Sequence, residues 1–334
     1  MKCGASIAMA ICLASGCGSS TKTITAPKDF WSGHWWPLQD VGRNMYDADD
    51  VTDRYWRFLQ ATRSPTSDVF RPPTATEQER ALHQCTGTCS APASDYCGHC
   101  NAWTAAAMME PEPTDPITKT IIRYGTLNAA GQLVVGGVPV PIEVEELPPG
   151  IVVDTIIVVF EVGHQKGLLT ELWWDYRSQM FGDVHGPGVP ADEWHEAMES
   201  WEATGFAFEK EPGDPVWNFP VHEVTLRFKD RKRGETTIRD VEATVEYVRS
   251  VDEDFVGMAT DFVTYQYRLE ILRDTIRSGQ WRGTTKPGAI WRPTSRESSG
   301  NIRVIDRCVR EIIDQGTETI VIRSTADFRR WPCP

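Results

Sequence analysis

Cys97-Gly98-His99-Cys100-Asn101-Ala102-Trp103-Thr104-Ala105-Ala106-Ala107-Met108-Met109 is the stretch on which the fold turns. From Cys100 onward it is dense in Ala and Met, which lose little side-chain freedom in a helix, and Pro111 and Pro113 stop it. The run predicts a helix from Cys100 to Met109 with a cysteine at its start. A helix N-terminus presents unpaired N–H groups and a partial positive charge, which favours a nucleophilic thiolate there. Two chemistries use such a cysteine. Disulfide exchange uses both sulfurs of the C-x-x-C. Acyl transfer uses Cys100 alone, with an imidazole that takes its proton and a carboxylate or amide that orients the imidazole.

Upstream of this helix, residues 50–62 have a helical pattern with Val51, Tyr55, Phe58 and Leu59 on one side, and residues 63–98 read as ordered loop. Downstream the chain turns β-rich. Residues 121–124, 132–135 and 138–144 carry strand composition, and the β-branched density of 151–160 favours a strand. Residues 166–178 read as helix, and 191–203 as a mixed segment around His195. Strands then dominate, over 206–208, 222–229, 236–248 and 262–273. In the last of these, Val263, Tyr265, Tyr267 and Leu269 alternate with Thr264, Gln266 and Arg268, as in a half-exposed sheet. Residues 281–293 read as loop and 302–313 as a helix.

A base and an acid must come from this downstream half. Seven histidines are present: His34, His83, His99, His164, His185, His195 and His222. His99 adjoins Cys100 but leaves the backbone in another direction, so it is a poor base for its neighbour. His195 lies in Pro190-Ala191-Asp192-Glu193-Trp194-His195. Gly205-Phe206-Ala207-Phe208-Glu209 follows, a short apolar strand ending in a carboxylate. Cys100, His195 and Glu209 thus stand in the order Cys, His, acid. Asp214, five residues on, is the alternative acid.

Several short motifs share an order and spacing with one family. Trp36-Pro37, Gly98-His99-Cys100-Asn101-Ala102-Trp103, Lys166-Gly167-Leu168-Leu169-Thr170-Glu171 and Trp194-His195 come first. Val216-Trp217-Asn218-Phe219-Pro220-Val221 and Gly279-Gln280-Trp281 through Trp291-Arg292-Pro293 follow. Together, over roughly residues 31–315, they resemble the transglutaminase elicitor family, including its bacterial members. The resemblance implies an α+β fold: a papain-like transglutaminase core with its nucleophile helix packed on an antiparallel β-sheet. It implies thiol-dependent acyl transfer, from a protein or peptide glutamine to an amine acceptor or to water. By position, Cys100 is the nucleophile, His195 the base and Glu209 the orienting acid. Glu209 stands where the family shows Asp, and Phe219 replaces a Gln. The backbone N–H of Cys100 is a candidate oxyanion donor, and the indole of Trp36 or Trp103 another.

Residues 1–16 read as an export signal, with Lys2, an apolar run and Leu13-Ala14-Ser15-Gly16 before Cys17. Small residues before a cysteine make Cys17 a candidate lipidation site, with 17–30 a tether and 31–334 the transglutaminase-like domain. The chain is then exported and held at the cell envelope by a lipid anchor, or else periplasmic or secreted. Export favours disulfides. Cys308 with Cys333, and Cys97 with Cys85 or Cys89, are the favoured pairings.

A net charge of −13 with no basic stripe excludes nucleic acid as a partner. No cofactor is implied and no metal site. Cys85-x3-Cys89 and Cys97-x2-Cys100 lie closer together than zinc modules place their pairs, and Asp47-Ala48-Asp49-Asp50 lacks the Gly and distal Glu of a calcium loop. Two other functions stay open. Cys97-Gly98-His99-Cys100 is also the active-site sequence of protein disulfide isomerases, although Ser90-Ala91-Pro92-Ala93-Ser94-Asp95 is too polar for the strand a thioredoxin fold places there. A catalytically inactive surface binding protein is the other.

Overall fold

The computed structural model describes residues 19–36, 45, 47–65, 67, 99–130, 132–140, 151–174, 176–182, 186–212, 217–296 and 304–330. The signal segment, Cys17, Cys85, Cys89, Cys97, Asp214 and Cys333 lie outside them. Among the described residues, five helices lie with two sheets: α1 (Val51–Thr62), α2 (Cys100–Met109), α3 (Val162–Leu172), α4 (Ala191–Ser200) and α5 (Val304–Gln315). The α+β class expected from the sequence is what forms.

The larger sheet has eight strands. β11 (Thr275–Trp281), β10 (Thr260–Leu272), β9 (Thr236–Val248), β8 (Asn218–Arg233), β7 (Ala207–Glu209), β12 (Ala289–Arg296) and β6 (Tyr176–Gly182) lie side by side in that order. β1 (Ser19–Thr25) pairs antiparallel with residues 223–229 of β8. The smaller sheet sets β13 (Glu318–Ile322), β2 (Ile117–Leu127), β3 (Leu133–Val135) and β4 (Val138–Val140) in a row, with β5 (Ile151–Phe160) also on β2. β13 runs parallel to β2, and β5 antiparallel to it.

Helix α2 has no side-chain cap and nearly all of it is buried. A helix apolar on every face belongs inside a core, and its three consecutive alanines let neighbours approach closely. Helix α3 packs beside it, and Gly167 makes room for α1: a β-carbon there would sit 2.5 Å from Val51 Cγ2. Helix α1 buries Val51, Tyr55, Phe58 and Leu59, the face its sequence marks. Each of the aliphatic and phenyl groups contributes roughly 1.5–3 kcal/mol on burial.

Several elements differ from the sequence reading. Residues 19–25, read as part of a tether, form β1; Ile24 is the buried residue of a polar run, and cross-strand pairing with β8 supplies what the composition lacks. The helix read at 166–178 runs instead over Val162–Leu172, and β6 begins at Tyr176. Part of the loop read at 281–293 is β12, whose Ile290 and Trp291 are buried between β6 and β7. The sequence reading has neither β11 nor β13. No helix among the described residues is long and apolar enough to cross a membrane.

Candidate active site

Cys100 opens α2 and is a reduced thiol, 8% exposed. The residue before it anchors the helix start. The backbone N–H of His99 donates to the Trp35 carbonyl at 2.7 Å, and its ring Nδ1 lies 3.2 Å from Glu171 Oε1 on α3. Both side chains of that pair are fully buried, and the Trp174 ring lies against the imidazole, centroids 4.5 Å apart. His99 is therefore turned into the core, in keeping with the sequence expectation that it is no base for Cys100.

One turn further along, Thr104 shares a helix face with Cys100. Its hydroxyl donates to the Asn218 carbonyl at 3.0 Å, which ties α2 to the first residue of β8. The Asn218 side chain completes the link. Its Oδ1 accepts the indole N–H of Trp291 at 2.7 Å, so its NH2 group is turned toward Cys100 Sγ, 3.9 Å away. Tyr176, on β6, stacks on Trp291 with centroids 5.2 Å apart and hydrogen-bonds the Asn101 side chain.

Glu209 ends β7 directly opposite Asn218 in the β7–β8 register. Residues paired across two strands point to the same face, so its carboxylate lies on the Cys100 side, fully buried. Gly288, which donates its N–H to the Glu209 carbonyl at 3.0 Å, leaves room for it: a β-carbon on Gly288 would come within 2.1 Å of Glu209 Oε2.

Burial pushes the Cys100 thiol up from its ordinary value, and the negative charge of Glu209 pushes the same way; hydrogen bonds from Asn218 and Asn101 pull it down without prevailing. The depressed, thiolate-favouring state expected from a helix N-terminus is therefore not the resting state. Desolvation outweighs the helix dipole here.

The structure does not bring His195 to Cys100. His195 is buried on α4, its Nδ1 2.7 Å from the Tyr267 hydroxyl and its Nε2 3.8 Å from Glu199. Its ring lies 6.1 Å from that of Phe228. Phe228 and Asn218 are both on β8, and ten strand residues span about 30 Å. The pleat separates the two sites as well. Phe208, one residue before Glu209, faces Trp194 of α4. Glu209 faces the other way. Burial holds the His195 imidazole down at about 4, against the pull of Glu199, so the ring is neutral at pH 7.

Asn218, Trp291 and Tyr176 went unassigned in the sequence reading. The signal for Asn218 was present, since an amide opening an apolar strand has to be spent on a specific hydrogen bond. Of the indoles considered from sequence, Trp36 lies against Gly167 and Trp103 against Gly33, and the N–H of each is buried with no hydrogen-bond partner among the described residues. Among the described residues no group of three His, Cys, Asp or Glu is arranged to hold a metal.

Comparison with solved structures finds the GP42 transglutaminase from Phytophthora sojae. The match has a TM-score of 0.55 and 15% identity, and covers 88% of this chain and 91% of that one. At that identity the likeness is one of fold: the chain has a transglutaminase-like architecture. No protein-family model matches the chain, and no curated protein does.

Proposed function

We propose that the protein is a thiol-dependent acyltransferase of transglutaminase type, with Cys100 as nucleophile on a papain-like helix. The thiol sulfur attacks the side-chain amide of a peptide glutamine. Ammonia leaves with the thiol proton, a thioester remains, and an amine or water then takes the acyl group. The observation that carries this reading is the convergence of Cys100, Asn218 and Glu209 at the junction of α2, β7 and β8, within a transglutaminase-like fold. The backbone N–H of Cys100 and the Asn218 NH2 are the donors we assign to the oxyanion. Glu209 is the acid that orients an imidazole, as its counterpart position in the family resemblance implies.

Which histidine supplies that imidazole is decided by experiment. His34 is held by the Val251 carbonyl, His164 caps α3, and His195 lies across the sheet. His83 and His185 lie outside the described residues. His222, on β8, has a buried ring Nδ1 with no hydrogen-bond partner among the described residues. His222→Ala, His83→Ala and His185→Ala are therefore the first variants to make. The assay is incorporation of monodansylcadaverine into a glutamine peptide by wild type, Cys100→Ser and single His→Ala variants. Loss with Cys100→Ser and with one histidine other than His195 is the expected result. Undiminished turnover by Cys100→Ser overturns the assignment.

A further inference from the structure

We propose that His99 and Glu171 are positioning residues for the nucleophile: their buried pair turns the side chain at the start of α2 into the core, and so leaves the first N–H groups of that helix to the Cys100 sulfur and the reacting carbonyl. This rests on the acyl-transfer reading and adds two residues that act through Cys100 without touching the substrate. The helices on either side show an ordinary start. Asp50, before α1, is extended at φ −94° and ψ −165°, and its carboxylate accepts the Val51 N–H at 2.7 Å. Glu161, before α3, is extended too, and its side chain accepts the His164 N–H.

Helix α2 departs from this pattern. His99 precedes it at φ −88° and ψ 25°, far from the extended setting of a capping residue, and its side chain makes no bond to the first turn. Its carbonyl still accepts the Trp103 N–H at 2.8 Å, so the helix begins here. The first N–H groups of a helix have no partner inside it. In α2 one of them has a use: the Asn101 N–H donates to the Cys100 sulfur, which the Asn218 N–H and NH2 reach from β8. A Ser or Asp at position 99 would offer its oxygen to the N–H of Asn101 or Ala102, the two that a cap takes.

Helix α3 keeps the His99 ring out of that turn. Glu171 Oε1 is 3.2 Å from Nδ1, and both side chains are fully buried. Glu171 is in the last turn of α3, where the helix dipole disfavours a carboxylate, and burial disfavours it further. The local fold of α3 therefore gives no reason for this residue; its partner does. The His99 N–H is held as well, shared between the Trp35 and Trp36 carbonyls at 2.7 and 3.1 Å. α3 steadies that segment too. Lys166 Nζ donates to the Ser32 carbonyl at 2.7 Å, and a β-carbon on Gly167 would lie 3.3 Å from Trp36 Cζ2. Lys166-Gly167-Leu168-Leu169-Thr170-Glu171 thus supports the start of α2 from both of its ends.

The test measures amine incorporation and the pH profile of Cys100 alkylation by iodoacetamide in three variants: Glu171→Gln, His99→Ser, and His99→Ser combined with Glu171→Leu, which removes the buried carboxylate with its partner. Urea unfolding and near-ultraviolet circular dichroism give the folded fraction of each. Glu171→Gln still has an oxygen that accepts from the imidazole, and its kcat is expected within about threefold of wild type. The double variant is expected to lose about tenfold or more in kcat with KM within about twofold, because the displaced donors act on charge that develops in the transition state. Its alkylation midpoint is expected to rise by about 0.5 pH unit or more, as the Asn101 N–H turns to the new cap. His99→Ser alone is expected to behave in the same way and stands in if the double variant does not fold. Wild-type kcat and alkylation in a folded serine variant overturn the proposal, as does activity that only tracks the folded fraction. A shifted alkylation profile in a chain whose wild type transfers no acyl group upholds the positioning and sinks the acyl-transfer reading. Acyl transfer with an unmoved profile sinks only the positioning.

Discussion

His195 offers a direct measure of what a buried imidazole does to this fold. Its environment holds the ring at about 4, while an unfolded chain leaves it near the ordinary 6.5. The folded state therefore binds a proton less readily than the unfolded state. The stability this contributes is fully present above pH 6.5 and drains away as pH falls toward 4. Linkage puts the loss at about 2 kcal/mol by pH 5 and about 3 kcal/mol by pH 4. Carboxylates held low by arginines, among them Asp230 beside Arg239 and Asp240 beside Arg268, drain stability over lower pH in the same direction. The comparison that isolates His195 is with His195→Gln, which keeps a hydrogen-bonding group for the Tyr267 hydroxyl and does not titrate. Guanidinium unfolding of both chains at pH 7.5, 6, 5 and 4 gives the difference. The variant is expected to start less stable at pH 7.5, and the gap to narrow by about 3 kcal/mol at pH 4. Parallel pH curves would refute a neutral, buried His195. Loss of amine incorporation by a folded His195→Gln chain would restore it as the base.

Other substitutions probe the cysteine's surroundings. Asn218→Ala removes a donor that lowers the Cys100 thiol, so the pH at which iodoacetamide alkylation reaches half its maximal rate should move upward; Asn218→Asp, which adds a negative charge, should move it further. An unchanged profile would mean that Asn218 does not act on the sulfur. Gly288→Ala forces the buried Glu209 carboxylate aside, and amine incorporation should fall at least tenfold while urea unfolding shows a loss of about 1–3 kcal/mol. Lys166→Met removes donors to the Ser32 and Phe255 carbonyls and to Glu112, in a buried site, and should cost about 3–5 kcal/mol by urea unfolding. A loss below about 1 kcal/mol would show that these groups re-pair or reach water.

Helix α2 was legible because its composition and its Pro stop agree, and β8 to β10 because buried and more exposed residues alternate through their middles, over 224–229, 241–247 and 265–269. In β10, Tyr265, Tyr267 and Leu269 are buried as the pattern requires. β1 was illegible because a polar strand owes its existence to the strand it pairs with, which no local signal records. Only the first three residues of β6 fall within the helix read at 166–178, since Tyr176–Gly182 has neither period. Cys100 and Glu209 stand out from local context, a helix start and the end of an apolar strand, and the structure sets both beside Asn218. His195 misled because linear order carries no information about which face of a sheet a residue occupies. Asn218 and Trp291 were quoted as motif residues, but their bond to one another depends on β7 and β12 lying between distant segments of chain.

The central claim is that Cys100 forms a thioester with a glutamine side chain. Intact-protein and peptide mass spectrometry after brief incubation with a glutamine peptide, quenched in acid, tests it directly. The account predicts an adduct of the peptide's mass less ammonia, confined to the tryptic fragment carrying Cys100, absent from Cys100→Ala and discharged by hydroxylamine. An adduct on another residue, or none while the chain still releases ammonia from the peptide, would contradict it.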